Sequence, residues 1–134
     1  QELGVGSIAF SPLAQGMLTR KYLGGIPEQS RAAQGKSLNP DKISDEVLDR
    51  IKALDEIAQN RGQSLAQMAI AWVLRNEGIT TALIGASKPD QIVECAGAVD
   101  NLDFTEAELA EIDIYAVDEA INLWAKSSEG AGAQ

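Results

Sequence analysis

Residues 79–89, Ile-Thr-Thr-Ala-Leu-Ile-Gly-Ala-Ser-Lys-Pro, are the stretch of the sequence that decides the fold. The mostly apolar run 79–84 predicts a buried strand, and the glycine turn after it leads into a helix that we predict over 88–98, with Ser87 or Asp90 as its cap. This succession of strand, glycine turn and helix start is typical of α/β units, in which strands separated by helices lie parallel.

Upstream, a short apolar run predicts another strand over residues 6–10, which Pro12 ends. A long loop rich in glycine and proline follows and extends to about residue 43, with a brief helical pattern around 18–22. Loops of this length are commonly functional or disordered.

Three more helices are predicted from their starting residues. Ser44 is the candidate cap of a helix from Asp45 that Gly62 ends, and two capping boxes open the other helices. Ser64 and Gln67 form the first box, which opens a helix that Gly78 stops. Thr105 and Glu108 form the second box, which opens the last helix.

The predicted order of strand, loop, two helices, strand and helix defines an α/β chain with a parallel sheet. Both strands are largely apolar, so we expect helices on one face and packed neighbours on the other. Two strands cannot bury themselves in this way. The chain is therefore expected to be part of a larger parallel sheet or barrel.

Composition restricts the function. With 134 residues one compact domain is expected, and the net charge of −9 argues against a surface for nucleic acid or anionic membranes. Cys95 is the only cysteine, which excludes an internal disulfide and is compatible with the cytoplasm. We find no apolar stretch of the roughly 20 residues that span a bilayer, and no secretory signal pattern.

The sequence contains no histidine, and no motif around either tyrosine marks it as a catalytic acid. Two turns could instead bind a phosphate or nucleotide through backbone N–H groups. These are residues 85–87, at a helix start, and residues 11–16, which follow the first strand. Ordinary turns with a capping serine are the alternative interpretation of both.

The residues carry a resemblance to a known family. Ile8 to Tyr22, then Ser30-Arg31, then Leu83 to Ser87 with Gln91 and Glu94 closely resemble the C-terminal part of the aldo-keto reductases. The nearest branch is that of the bacterial L-glyceraldehyde 3-phosphate reductases and the potassium-channel β subunits. Asn122-Leu123-Trp124 favours the bacterial enzymes.

This resemblance implies a (β/α)8 TIM barrel, of which residues 1–126 would be the C-terminal part, with strands seven and eight, and 127–134 a flexible tail. The family's catalytic aspartate, tyrosine, lysine and histidine come from earlier strands, so no catalytic residue is expected in this chain. Tyr22 and Tyr115 are predicted to be packing residues. No metal site is expected.

What the resemblance does imply is an NADP(H) site. Ser11, Pro12, Leu13, Gln15 and Gly16 match the segment that lies along the pyrophosphate and ribose. Phe10 matches an aromatic residue that lies beside the nicotinamide, and a place in the core is its alternative role. Lys21 and Arg31 match basic residues on the loop that covers the cofactor, and a solvated surface charge is the alternative for each.

Gly85, Ser87, Gln91 and Glu94 match the segment that receives the adenosine and its 2′-phosphate. Cys95 stands where the family usually has asparagine, so the preference for NADP over NAD is left open.

The implied function is NADP(H)-dependent reduction of small aldehydes or ketones, such as glyceraldehyde 3-phosphate or methylglyoxal. The missing N-terminal part of the barrel would be the partner of this chain. Residues 16–43 would form a lid over the cofactor. A homo-oligomer is left open. One alternative is a regulatory subunit that senses redox state through a bound nucleotide, and another is an inactive fragment.

Overall fold

A computed structural model of the chain describes residues 4–19 and 44–117. The expectations for Lys21, Arg31, most of 18–22 and the tail 127–134 lie outside these residues. The described elements, in chain order, are β1 (Ser7–Phe10), a 3-10 turn (Ala14–Gly16), α1 (Asp45–Asn60), α2 (Leu65–Leu74), β2 (Ile79–Leu83), α3 (Pro89–Ala96), a second 3-10 turn (Gly97–Asp100) and α4 (Glu106–Tyr115).

The two described strands pair in parallel, which confirms the α/β prediction. Phe10 lies opposite Leu83 at the carboxyl ends of the strands. One face of the pair packs on the helices through small or half-buried residues. The other face is bare: Ile8, Phe10 and Leu83 are 66%, 57% and 61% exposed. Large apolar side chains on a bare sheet face are what a strand pair from a larger sheet would show.

The predicted helix starts are confirmed at three places. The hydroxyl of Ser44 accepts a hydrogen bond from the backbone N–H of Val47 at 3.3 Å. Both capping boxes form as the sequence predicts, at Ser64 and at Thr105. These side chains satisfy backbone donors that the first helical turn leaves without partners.

Two predicted helix boundaries are wrong. The helix predicted over 88–98 is the shorter α3, and neither Ser87 nor Asp90 is its N-cap; the chain enters the helix at Lys88, followed by Pro89. Gly78 does not stop α2, which already ends at Leu74. There the side chain of Asn76 accepts from the backbone N–H of Gly78 and forms a tight turn into β2.

Two apolar clusters hold the elements together. The larger joins α1, α2 and α4 around buried residues that include Ile51, Leu65 and Ile112, and Tyr115 packs against it as predicted. The smaller consists of Ile70, Cys95 and Ala98 and attaches α2 and α3 to the sheet.

A buried arginine joins the end of α1 to α4. The side chain of Arg61 is 2% exposed, and its Nη1 lies 2.7 Å from Oε1 of Glu108. Its Nη2 donates to the carbonyl of Asp103 at 2.8 Å, and its Nε donates to Gln63 at 3.1 Å. The guanidinium also lies 3.7 Å from the centre of the Phe104 ring.

Hydrogen bonds hold the pKa of Glu108 below its ordinary value. The main cause is the backbone N–H of Thr105, and the hydroxyl of Thr105 and Arg61 add to it against the opposing effect of burial. A lowered folded-state pKa means that the ionised carboxylate stabilises the fold above its unfolded-state pKa. This stabilisation is lost as the pH falls through that range.

Within residues 4–19 and 44–117, none of the helices combines the length and apolar character needed to cross a membrane. The same residues contain no cluster of three or more side chains suited to holding a metal ion.

Candidate functional site

The turn after β1 has an unusual backbone. Ser11 and Ala14 have φ values of 55° and 45°, in the left-handed region that residues other than glycine rarely adopt, and Gly16 has a φ of 95°. Such conformations are retained where surrounding contacts enforce them, and they concentrate at binding sites. Gly16 is therefore required by its backbone conformation. The described residues leave open space where its side chain would stand.

Hydrogen bonds close this turn on itself. The N–H of Ala14 donates to the carbonyl of Ser11 at 3.0 Å, and the N–H of Gly16 donates to that of Leu13 at 2.8 Å. The hydroxyl of Thr19 donates to the carbonyl of Gly16 at 2.6 Å. These hydrogen bonds join the residues of the turn to one another and to the neighbouring Thr19.

The two candidate turns meet at one place in the fold. The parallel pairing of Phe10 with Leu83 puts the first residues of both turns at the same edge of the sheet. Leu13 from the first turn and Ile84 from the start of the second both pack on the cluster of Ile70, Cys95 and Ala98. Ligands of α/β proteins bind at this carboxyl edge.

The second turn is open around its glycine. A side chain placed on Gly85 would have no described heavy atom within 4 Å, and its φ is not in the left-handed region. Close packing, one alternative explanation for this glycine, is therefore absent among the described residues. The described residues leave the space beside Gly85 open.

The side chain of Gln91 occupies the donors of the second turn. Its Oε1 accepts from the N–H of Ser87 at 2.8 Å, from the hydroxyl of Ser87 at 3.2 Å and from the N–H of Lys88 at 3.2 Å. These are the donors that an anion at the start of α3 would use. In this structure Gln91 thus caps its own helix, in addition to the adenine contact that the resemblance implies.

We expect Gln91→Ala to lower the free energy of unfolding by about 1 kcal/mol, the usual effect of removing a helix cap. Urea unfolding followed by circular dichroism measures this. Gln91→Glu is the matched variant: it keeps an oxygen acceptor and should stay close to the unmodified chain. Equal losses in both variants would contradict the capping role.

Glu94 and Cys95 lie on different sides of α3. Glu94 is exposed, and its backbone carbonyl accepts from Nε2 of Gln67 at 2.9 Å. Cys95 is 8% exposed within the smaller apolar cluster. Burial raises the pKa of its thiol, and the nearby charge of Glu94 raises it further. The thiol is therefore a packing group.

We expect the thiol of Cys95 to react with a thiol reagent far more slowly in the folded chain than in urea, because both burial and a raised pKa suppress the reactive thiolate. Because the sequence contains no other cysteine, the labelled fraction measured by mass spectrometry reports this residue alone. Rapid complete labelling of the native chain at neutral pH would contradict the buried placement.

The structure brings most of the sequence-predicted residues to this edge. Phe10 is 57% exposed at the end of β1. Ser11, Pro12, Leu13 and Gly16 form the first turn, with the backbone of Gln15 in its 3-10 segment. Gly85, Ser87, Gln91 and Glu94 are exposed at the second turn and the start of α3.

Sequence reasoning missed two features of the site. One is the role of Lys88 as the N-cap. Pro89 directly after it and Gln91 three residues after it could have indicated this role. The other is the left-handed backbone at Ser11 and Ala14, for which these residue types give no signal.

The described site belongs to an α/β protein of parallel strands, with two adjoining turns that present backbone donors at the carboxyl edge of the sheet. Comparison with known families is consistent with this: residues 1–116 match the model of the aldo/keto reductase family. The chain belongs to the aldo/keto reductase family.

Two similar proteins are both named L-glyceraldehyde 3-phosphate reductase, from Escherichia coli O157:H7 and from Escherichia coli strain K12. Each is 47% identical to this chain over 133 residues, covering 96% of the chain. The chain spans 38% of the length of these relatives.

Proposed function

We propose that this chain supplies the cofactor-binding part of an NADP(H)-dependent reductase of small aldehydes or ketones, acting in the cytoplasm. Glyceraldehyde 3-phosphate and methylglyoxal are the candidate substrates, and the first follows the name of the two relatives. The observation that carries the proposal is the meeting of the two turns at one edge of the parallel strands, joined by the apolar cluster that both contact.

In this proposal β1 and β2 are strands seven and eight of a (β/α)8 barrel, within a C-terminal part formed by residues 1–126. The exposed sheet face supports this placement, because Ile8 and Leu83 would point into the packed interior of a closed barrel. The remaining strands would belong to an N-terminal part of the barrel. The covered length of the relatives agrees with such a division.

The described residues fit a phosphate-containing cofactor. At the second turn, Ser87 and Lys88 present N–H and O–H donors that already bind an oxygen, that of Gln91, and Gly85 leaves open space beside them. These donors would hold the 2′-phosphate, and Gln91 and Glu94 the adenine. Ser11 to Gly16 would follow the pyrophosphate, and Lys21 and Arg31 would cover it.

Bound in this way, the cofactor would supply a hydride to the substrate carbonyl. The exposed ring of Phe10 would lie beside the nicotinamide and orient it. The proton would come from a residue outside this chain, because the resemblance implies a catalytic tyrosine on an earlier strand, and the described Tyr115 packs in the helical core. The chain's own contribution is binding and positioning.

A chimera tests the proposal. This chain would replace the matching segment of the Escherichia coli reductase, which is 47% identical to it. We expect steady, NADPH-dependent reduction of methylglyoxal or glyceraldehyde 3-phosphate by the purified chimera, within about tenfold of the parent enzyme. A folded chimera that neither binds NADPH nor turns over either substrate would contradict it.

The 134-residue chain alone is expected to be inactive, because the resemblance implies that the catalytic groups, and the strands that pair with β1 and β2, belong to the N-terminal part of the barrel. Sustained turnover by the chain alone would overturn that expectation. A chimera that binds NADPH tightly yet reduces no carbonyl would favour the alternative, a regulatory subunit that senses the redox state of its nucleotide.

A further inference from the structure

A groove of about 400 Å³ lies between α1, α2, α4 and the segment that follows β1. Its walls are almost entirely apolar and include Met17, Ile51, Leu65, Met68, Trp72 and Ile112. Apolar surface of this kind is stabilised when another apolar group covers it. The groove is therefore a candidate docking surface.

One polar atom on the wall of the groove constrains its occupant. Nε1 of Trp72 is buried and has no hydrogen-bond partner among the residues that the structure describes. Buried donors of this kind are nearly always paired. The occupant should therefore combine apolar side chains with an oxygen acceptor, as a polypeptide segment does.

The chain itself leaves α4 along this groove. Tyr115, Ala116 and Val117 are consecutive residues, and all three line it. Seventeen residues follow, 118–134. Their large apolar side chains are confined to Ile121, Leu123 and Trp124, and the remainder is small or polar. Four residues reach at most about 14 Å, so Ile121 and its neighbours remain within range of the groove.

We propose that residues 118–125 dock in this groove, with Ile121, Leu123 and Trp124 against its apolar walls and a backbone or Asn122 oxygen accepting from Nε1 of Trp72. The groove also contains Pro12 and Ala14 of the turn after β1. The docked segment therefore supports the strained turn from behind. This support is independent of whether the turn binds a nucleotide.

Tryptophan fluorescence of the 134-residue chain tests the proposal. Trp72 and Trp124 are its only tryptophans, so the Trp72→Phe variant reports Trp124 alone. We expect a blue-shifted emission that acrylamide quenches several-fold less than it quenches free N-acetyltryptophanamide. Emission and quenching like those of the free compound would overturn the proposal, whether the groove is then filled by residues 20–43 or by a small apolar ligand.

Two added lysines locate the protection. In the Trp72→Phe chain, Ala69→Lys places a charge on the groove wall, whereas Ala110→Lys adds the same charge to an exposed position of α4. We expect Ala69→Lys alone to increase quenching of Trp124, with circular dichroism confirming that both variants are folded. Equal quenching in the two variants would place Trp124 elsewhere. Protection that disappears on dilution would indicate a second copy's tail, and either result overturns the proposal.

Discussion

Arg61→Ala should lower the free energy of unfolding of the chain by about 3 kcal/mol. Removing one partner of a buried ion pair commonly costs about 3 to 5 kcal/mol. The lower end applies because Glu108 is 28% exposed on its side chain and water can partly hydrate it. The variant also leaves the carbonyl of Asp103 without its donor and removes the cation that lies over Phe104.

Urea unfolding monitored by circular dichroism measures the effect of Arg61→Ala. The matched control is Lys52→Ala, which removes the cation of an ion pair with Asp49 on α1. The side chains of Lys52 and Asp49 are 54% and 73% exposed. Exposed pairs contribute little, so the control should unfold like the unmodified chain. If Arg61→Ala unfolded like the control, the buried arginine would not be what joins α1 to α4.

Gly85→Asp should weaken NADPH binding about 100-fold while leaving the stability of the fold unchanged. The open space around Gly85 and its ordinary φ give the new side chain room. The added carboxylate would stand beside the donors proposed for the 2′-phosphate. Two like charges about 6 Å apart repel by about 2 to 3 kcal/mol at an effective dielectric constant of 20, which corresponds to that loss of affinity.

Cofactor titration of the chimera, with NADPH fluorescence as the signal, measures the effect of Gly85→Asp. Ala110→Asp, on an exposed position of α4, adds the same charge away from both turns and should bind NADPH normally. Higher salt should recover part of the lost affinity in the Gly85 variant only. Unchanged NADPH affinity in a folded Gly85→Asp chimera would remove the second turn from the binding site.

Local patterns in the sequence predicted most of the fold. The serine and threonine caps at positions 44, 64 and 105 each act over three residues, so they could be identified without tertiary information. The start of α3 was missed because lysine has no side-chain acceptor, and Gln91 makes the capping contact from within the helix. A serine nearby was the more conventional choice and was wrong.

Features that depend on distant contacts could not be predicted in this way. Arg61 contacts Asp103 from 42 residues away, and nothing in the sequence near Arg61 distinguishes it from a surface arginine. The left-handed backbone of Ser11 and Ala14 is likewise imposed by the surrounding turn. The turns themselves were predicted, since each follows an apolar strand.

The contact between Gln91 and the start of α3 affects how much conformational entropy the second turn would lose on binding a ligand. If the proposed cofactor binds here, one of its phosphate oxygens would replace the amide oxygen of Gln91, and the donors of Ser87 and Lys88 would remain paired throughout. The helix start would not unravel between one ligand and the next. A loop kept in its working shape by such a substitute loses little conformational entropy when its ligand arrives.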